Sequence, residues 1–317
     1  MSYVFDEGLA PWVAMLPGID FTDPVAARVA AGEAMRKMPA PELPETVVIR
    51  DVSVPGPTGA PDVPVRIYTP TDKPGPLPAL VYFHGGGMIL GGLDIGHAGL
   101  AELAADVGVV VVSVDYRLAP ECPFPSGLED CYAALIWTVE SADKLRIDSS
   151  RIAIGGESAG ANLAAAVALL NRDRRGPALK LQWLSVPMVD DCQETSSMRD
   201  FTDTPMLTRS HVVQCWKHYQ ATGTVVNGED WLQYAAPACA GDHSGLPPAY
   251  VDVCEFDPLR DAGLDYAARL VRAGVSTEVH LYPGTFHGCS VIRGVPIVER
   301  IIADQHAALR RALHPEG

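Results

Sequence analysis

Short apolar runs separated by turn residues recur through most of the chain. Alternating apolar residues predict strands at 47–54 and 63–68, with a Pro- and Gly-rich turn between them. Continuous apolar runs predict further strands that are buried on both faces, as in a parallel sheet. These runs lie at 79–83 and 109–114, and further strands are predicted at 152–154, 181–185, 249–253 and 277–281. The pattern therefore predicts a sheet of about eight strands.

Helical periodicity appears between the later strands. It predicts helices at 128–139, at 159–171, at 261–273 before Gly274, and from about 296 onward. Near the N-terminus, Asp23 and Pro24 mark the start of a helix that extends to Met38. Because strands and helices alternate, we expect an α/β fold with a doubly wound, mostly parallel sheet.

Two segments stand apart from this alternation. Residues 1–42 are expected to form an N-terminal helical cap segment, and residues 43–317 the α/β domain that carries the sheet. Within that domain, residues 191–235 contain no clear strand, and an insertion of this length is usually functional. We expect it to complete a helical lid over the sheet edge. Four large side chains there are candidates for either the pocket wall or the lid's own core: Met198, Met206, Trp216 and Trp231.

The charge balance narrows the choice of partners. The 317 residues include 39 acidic and 24 basic ones, which gives a net charge of −15. Such a field repels nucleic acid and anionic lipid. No apolar run is long enough to span a membrane, and the N-terminus lacks the basic start of a signal peptide. We therefore expect a cytoplasmic protein with neither a nucleic-acid partner nor a stable membrane association.

The cysteines suggest no metal centre. There are seven of them, an odd number, and no pair has the CxxC spacing. The sequence therefore predicts reduced thiols that serve mostly as small core residues, and it predicts neither a zinc site nor a disulfide framework.

A GxSxG motif at Gly156–Gly160 carries the strongest chemical signal. It follows a predicted strand and opens a predicted helix, which is the context that a nucleophile elbow requires. The two glycines allow the sharp turn, and Ser158 then points out at the carboxyl edge of the sheet. The alternative interpretation is an ordinary serine N-cap.

A second motif, His84–Gly87, directly follows the strand at 79–83. Three successive glycines can turn several backbone N–H groups toward one point, which forms an anion-binding concavity. A phosphate loop is a weaker interpretation, since GxxxxGK[ST] is absent and Leu90 breaks the GxGxxG spacing. A flexible glycine turn is the other alternative. His84 precedes the serine, so we expect it to fix the loop rather than transfer protons.

The base and the acid must follow Ser158 in this fold. Acid candidates cluster at Glu255–Asp261, after the strand at 249–253. Four histidines follow, and only His287 lies in a loop just after a strand. His280 lies inside a strand, His306 is expected on an exposed helix face, and His314 lies in the tail. His287 is therefore the candidate base.

Together, the motifs resemble those of the hormone-sensitive-lipase-like esterases, the bacterial family IV carboxylesterases. The resemblance rests on HGGG at 84–87, DYRLAPE at 115–121, GESAG at 156–160, DPLRD at 257–261 and FHG at 286–288. Within this family, the segments at 245–250 and 283–288 look most like the heroin-esterase type. The resemblance implies an α/β-hydrolase core of eight mostly parallel strands, an N-terminal helical cap and no cofactor.

Residue by residue, the resemblance places the catalytic triad on Ser158, Asp257 and His287. It places the oxyanion donors on Gly85 and Gly86. The N–H of Ala159, directly after the serine, is expected to join them.

Three residues depart from the family's usual pattern. They are Glu157, where Asp is commoner, Ala161, where Gly is common, and Met88, where an aromatic residue is common. None of them removes a reacting group, but each can reshape the pocket.

The sequence thus predicts a serine carboxylesterase that hydrolyses short-acyl esters through an acyl-enzyme, with no metal. The resemblance also implies a small-molecule ester substrate and a homodimer. A natural-product deacetylase or an amidase would use the same triad, so these stay open as alternatives. A non-catalytic small-molecule receptor on this fold is a further alternative, which three filled triad positions disfavour.

Overall fold

An eight-stranded sheet forms the centre of the computed structural model, which describes residues 3–16, 18–36 and 42–314. The strands are β1 (Val47–Val54), β2 (Val63–Pro70), β3 (Leu77–Phe83), β4 (Val110–Val114), β5 (Ile147–Glu157), β6 (Leu181–Ser185), β7 (Val225–Val226), β8 (Glu229–Asp230), β9 (Ala249–Phe256) and β10 (Thr277–Phe286). The large sheet has the order β1-β2-β4-β3-β5-β6-β9-β10, and β7 pairs with β8 as a separate ribbon. Only β2 runs against its neighbours, so the predicted mostly parallel α/β sheet is confirmed.

Helices cover both faces of this sheet. They are α1 (Ala10–Val13), α2 (Pro24–Arg36), α3 (His97–Val107), α4 (Ser126–Glu140), α5 (Ala142–Leu145), α6 (Ala159–Asp173), α7 (Ser196–Asp200), α8 (Arg209–Tyr219), α9 (Leu232–Ala235), α10 (Arg260–Arg272) and α11 (Pro296–Leu313). Helices α3 and α11 pack on one face, and α4, α6 and α10 on the other. None of the helices described by the structure has the length and apolar character to cross a membrane.

The central strands are buried on both faces, as their continuous apolar runs predict. Along β3, Leu80 packs into the core under α3 and α11, whereas Val81 packs into the core under α4 and α6. This alternation follows from the two-residue period of a strand. Because both faces are covered, every residue of β3 and β4 is buried.

Several element boundaries match the sequence pattern. Strands β1 and β6 have the predicted ends, and β9 and β10 continue to Phe256 and Phe286. Helix α2 begins at Pro24, and the Asp23 carboxylate accepts hydrogen bonds from the N–H groups of the following turn. Its predicted end at Met38 lies outside the described residues.

The segment at 191–235 contains α7, α8, the β7–β8 ribbon and α9. The sequence indicated no clear strand there, and the ribbon is the one strand pair that the structure adds. Each strand of the ribbon has only two residues, most of them exposed, so no apolar alternation marks it.

Candidate active site

Ser158 lies at the sharp turn between β5 and α6. Its backbone has φ +56° and ψ −114°, a conformation that costs a non-glycine residue energy. The Ser158 N–H donates to the carbonyl of Ser185 on the neighbouring strand at 2.8 Å, which holds the turn in place. The side chain is thereby presented at the carboxyl edge of the sheet, as the motif predicts.

The glycines on either side of Ser158 are required by close packing. A Cβ at Gly156 would lie 2.3 Å from the Phe83 carbonyl oxygen, and one at Gly160 would lie 1.9 Å from the same atom. Since no real Cβ approaches an oxygen so closely, both positions accept only glycine. This packing brings the end of β3, and the glycine loop that follows it, against the serine turn.

His287 and Asp257 complete a hydrogen-bonded row with Ser158. The Ser158 hydroxyl lies 3.0 Å from His287 Nε2, and His287 Nδ1 donates to Asp257 Oδ2 at 2.7 Å. The two residues meet because Phe256 and Phe286 are register partners at the ends of β9 and β10. Asp257 is 1% exposed, and its other oxygen accepts from the Leu259 N–H at 2.8 Å. A neutral imidazole held this way can take a proton from the hydroxyl.

Asp261 lies elsewhere, although it belongs to the same acidic cluster. Its carboxylate accepts from the Ser197 N–H at 2.8 Å and pairs with Arg260. Among the candidate acids, the structure therefore brings Asp257 to His287.

The remaining C-terminal histidines are remote from Ser158. His280 pairs with Glu278, and His314 follows the end of α11. The expectation that His306 is exposed is wrong, since it is only 6% exposed. Helix α11 packs on α3 as well as on the sheet, so its buried face is wider than a single stripe. His306 Nδ1 lies 3.4 Å from Asp106 of α3.

His84 is buried and fixes the glycine loop. Its Nδ1 donates to the Gly85 carbonyl at 2.8 Å, and its ring stacks on Tyr116 with centroids 4.2 Å apart. The Tyr116 hydroxyl also donates to the His84 carbonyl at 2.7 Å. Burial lowers the pKa of His84 to about 4, so the imidazole is neutral near pH 7. These contacts fit a positioning role for His84.

The loop after His84 runs beside Ser158. A Cβ at Gly85 would lie 3.8 Å from Ser158 Cβ, so the backbone passes within contact distance of the serine. In the described part of the chain, no hydrogen bond is donated by the N–H of Gly85 or Gly86. Ala159 begins α6, so its N–H also lacks a partner within the helix. None of these three N–H groups thus has a hydrogen-bond partner among the described residues.

A cavity of about 820 Å³ opens over Ser158 and His287. Helix α2 contributes one wall through Arg28, Ala31 and Gly32. The other wall comes from Met206, Leu207 and Cys215, just before and within α8. Of the four candidates from the sequence, Met206 lines this cavity, whereas Met198 and Trp216 are buried in the core and Trp231 packs on Tyr234.

Arg28 holds α2 against the rest of the molecule. Its Nε donates to the Ile89 carbonyl and its Nη2 to the Ala119 carbonyl, each at 2.7 Å. Both terminal nitrogens also reach the Glu121 carboxylate at 2.8 Å. Sequence reasoning missed this residue. The sequence does place Arg28 among alanines and valines in the first turns of a predicted helix, and a lone arginine in such surroundings could have indicated a buried contact.

A row of polar side chains crosses the sheet beside the serine. Glu157, Ser185 and Asp252 are register partners on β5, β6 and β9. Asp252 accepts from the Ser185 hydroxyl and from Gln305 of α11, both at 2.8 Å. Burial, reinforced by the charge of Asp252, raises the pKa of Glu157 to about 7, while His287 acts in the opposite direction. The carboxyl group next to the serine thus titrates near neutral pH.

Comparison with known proteins identifies the class to which this fold and site belong. Residues 80–291, more than half of the chain, match a family model described as the alpha/beta hydrolase fold. The chain belongs to this family, and within it to the hormone-sensitive-lipase-like carboxylesterases that its motifs resemble.

Individual relatives match over nearly the whole chain. Carboxylesterase NlhH of Mycobacterium tuberculosis is 39% identical over 297 residues, which are 93% of this chain and 92% of NlhH. Carboxylic ester hydrolase LipN of the same organism is 39% identical over 84% of this chain and 70% of its own length. Among solved structures, a bacterial heroin esterase superposes with a TM-score of 0.93 at 42% identity, covering 98% of each chain.

Proposed function

We propose that this chain is a serine carboxylesterase that hydrolyses short-acyl esters, with Ser158 as nucleophile, His287 as base and Asp257 as the orienting acid. The observation that carries the proposal is the unbroken row from the Ser158 hydroxyl through both His287 nitrogens to Asp257, at 3.0 and 2.7 Å. The sequence relatives, named as a carboxylesterase and a carboxylic ester hydrolase, support the same reaction class.

In the first half-reaction, Ser158 Oγ attacks the ester carbonyl carbon while its proton passes to His287 Nε2. Asp257 stabilises the imidazolium that forms. The N–H groups of Gly85, Gly86 and Ala159 bind the oxyanion, and each such donor typically contributes about 3 kcal/mol to the transition state. His287 then protonates the leaving alcohol as the carbon–oxygen bond breaks, which leaves an acyl-enzyme.

In the second half-reaction, His287 takes a proton from water, and the hydroxide attacks the acyl carbon. Ser158 leaves with the proton that His287 returns, and the carboxylic acid is released. Every group in this scheme comes from the protein or from water, so the mechanism uses no cofactor.

The walls of the cavity support a division of the chain into a cap and a catalytic domain. We infer that residues 1–42 and the insertion at 191–235 form a cap over the catalytic domain of residues 43–317. In support, α2 and α8 both line the cavity over Ser158. A cytoplasmic location and a homodimer remain predictions of the sequence.

We expect the walls formed by α2 and by the chain before α8 to limit the length of the acyl chain. Each methylene that still fits contributes roughly 0.8 kcal/mol of transfer energy. The catalytic rate should therefore rise with chain length until the acyl group meets the wall, and then fall. We expect the optimum between acetyl and about hexanoyl.

One panel of substrates tests this proposal. We expect kcat/KM for p-nitrophenyl esters to peak between acetate and hexanoate and to fall for decanoate and palmitate. The matching p-nitroanilides should be hydrolysed far more slowly, and a preference for them would indicate an amidase instead.

The role of Ser158 is tested by its replacement. Ser158→Ala should lower kcat by roughly 10⁴-fold or more while the melting temperature stays near that of the wild type. A variant that kept a tenth of the turnover would refute the assignment of Ser158.

A further inference from the structure

Two loops outside the active site bring two carboxylates and two thiols together. Asp190, Asp191 and Cys192 follow β6 through a short loop, and Cys239 lies in the 3₁₀ turn at 237–239. One ligand atom from each side chain lies within 4.8 Å of all the others. In the described residues, this is the one group of three or more His, Cys, Asp or Glu side chains with such spacing. It lies outside the cavity over Ser158.

Hydrogen bonds hold these groups in position. The Ala238 N–H donates to the Val189 carbonyl at 3.0 Å, which joins the two loops directly. Gln220 Nε2 donates to Asp191 Oδ2 at 3.0 Å, and Cys239 Sγ lies 3.5 Å from Asp191 Oδ1. One oxygen of Asp191 is therefore held by the neutral side chain of Gln220, and the other oxygen faces the thiol of Cys239. Such outer contacts fix the direction in which a ligand points.

The local charge is negative and lacks a counterion. No ion pair among the described residues uses Asp190 or Asp191. A bound cation would supply the missing counterion, because it neutralises the carboxylates and stabilises thiolates.

We propose that these four side chains form a tetrahedral site for a divalent cation of the zinc type, with two sulfur and two oxygen ligands. Zinc takes this mixture of ligands, at about 2.3 Å from sulfur and about 2.0–2.2 Å from oxygen. Such lengths require ligand atoms roughly 3.3–3.8 Å apart, so closure needs shifts of about 1 Å or less. Each thiol gives its proton to solvent when the metal–sulfur bond forms, and the carboxylates bind as they are.

A Cys192–Cys239 disulfide is the competing use of the same thiols. A disulfide would leave Asp190 and Asp191 without a counterion, whereas a bound cation supplies one. The local charge thus favours the metal over the disulfide.

The site would join the two ends of the 191–235 segment. Its first three ligands immediately precede or begin this segment, and Cys239 follows it. The same loop after β6 carries Met188, whose N–H donates to the Ser158 carbonyl at 3.2 Å. A bound metal would therefore stiffen the base of the proposed cap without entering the reaction. The proposed metal site departs from the expectation that the chain binds no metal. That expectation rested on the spacing of the cysteines along the sequence.

Binding of Co²⁺ and Zn²⁺ to the reduced, metal-free full chain tests the site. We expect one equivalent of Co²⁺ to give a thiolate-to-cobalt absorption band in the near ultraviolet, and Zn²⁺ to abolish it. The melting temperature should rise by several degrees with Zn²⁺. Because two thiol protons are released, the affinity should increase by up to 100-fold per pH unit in the acidic range.

Matched variants assign the ligands. Cys192→Ser and Cys239→Ser should each lower the affinity for Co²⁺ at least tenfold, and Cys122→Ser, outside the cluster, should leave it unchanged. Circular dichroism and thermal melting verify that each variant is folded. The proposal is overturned if the wild type gives no such band, if the band survives the double serine variant, or if mass spectrometry of the air-exposed protein finds a Cys192–Cys239 disulfide that excludes Co²⁺. None of these readouts depends on ester hydrolysis.

Discussion

Two carboxylates only four positions apart, those of Asp257 and Asp261, have very different surroundings. Asp257 directly follows β9 and faces His287, whereas Asp261 lies in the first turn of α10 and holds the N–H of Ser197. The sequence predicted Asp257 rather than Asp261 through the family resemblance and because Asp257 lies nearer the end of the strand. The register of Phe256 with Phe286 supplies the physical reason.

Replacing these two aspartates separates the proposed catalytic role from a structural one. Asp257→Asn removes the charge that stabilises the imidazolium, so we expect kcat to fall by about 10³–10⁴-fold. Asp261→Asn should change kcat less than tenfold, although the lost contacts should lower the melting temperature. Steady-state kinetics on p-nitrophenyl butyrate compares the two. The opposite ranking would move the acid to Asp261.

The raised pKa of Glu157 predicts a pH-dependent stability. Its pKa is raised from the ordinary value of 4.5 to about 7 by burial and by Asp252. Between these values the folded protein binds a proton that the unfolded chain has released, so stability falls as the pH rises. Glu157→Gln removes this loss of stability. We expect the free energy of unfolding of the variant, relative to the wild type, to increase by on the order of 2–3 kcal/mol between pH 5 and pH 8.

Urea unfolding at both pH values measures this difference. The exposed Glu140 at the end of α4 provides the matched control, and Glu140→Gln should show the same difference from the wild type at both pH values. A Glu157→Gln variant whose relative stability is independent of pH would contradict the raised pKa.

Among the elements, those buried on both faces were the most predictable. Strands β3 and β4 follow continuous apolar runs, which predict burial on both faces without knowledge of their neighbours. Elements that depend on distant partners were missed. Helix α3 was not predicted, the β7–β8 ribbon has too few residues for a pattern, and the burial of His306 depends on the packing of α11 against α3.

The turn between β5 and α6 provides a test of how α6 packs against β3. In Gly160→Ala, the new methyl group would lie 1.9 Å from the Phe83 carbonyl oxygen, so β3 and α6 must separate. Overpacking of this kind typically costs 1–3 kcal/mol, and we expect kcat to fall at least 100-fold because Ser158 and the glycine loop move apart. Gly99→Ala in α3 is the control, since nothing lies within 4 Å of its added Cβ. Equal effects of the two substitutions would rule out this account.

At the scale of the whole molecule, N-terminal and internal segments cover the sheet edge together. Arg28 of α2 reaches Ile89, Ala119 and Glu121, which are 61, 91 and 93 positions away along the chain. Sequence patterns predicted α2 and the glycine motif that it contacts. They did not predict the contacts of Arg28, because residues so far apart along the chain leave no local periodicity. The glycine loop and α2 are nevertheless joined through the Ile89 carbonyl.

Loosening this connection should change substrate binding more than chemistry. Arg28→Met keeps the apolar stem but removes five donors, so we expect KM for p-nitrophenyl butyrate to rise several-fold with kcat changed less than threefold. Glu121→Gln leaves both carbonyl contacts of Arg28 in place and should have a smaller effect. A selective loss of kcat in Arg28→Met would indicate that the arginine acts on the reacting groups instead.

The placement of Ser158 and His287 has a consequence for the order of folding. These residues are 129 positions apart and follow β5 and β10, the latter at the far edge of the sheet. Contacts of such long sequence separation form slowly, because a large loop must close before they stabilise anything. Chains that still lack β10 would contain helices and a partial sheet but hydrolyse nothing. During refolding, the recovery of ester turnover should therefore lag behind the recovery of the circular dichroism signal. The activity should be proportional to the fraction of molecules in which the sheet is complete.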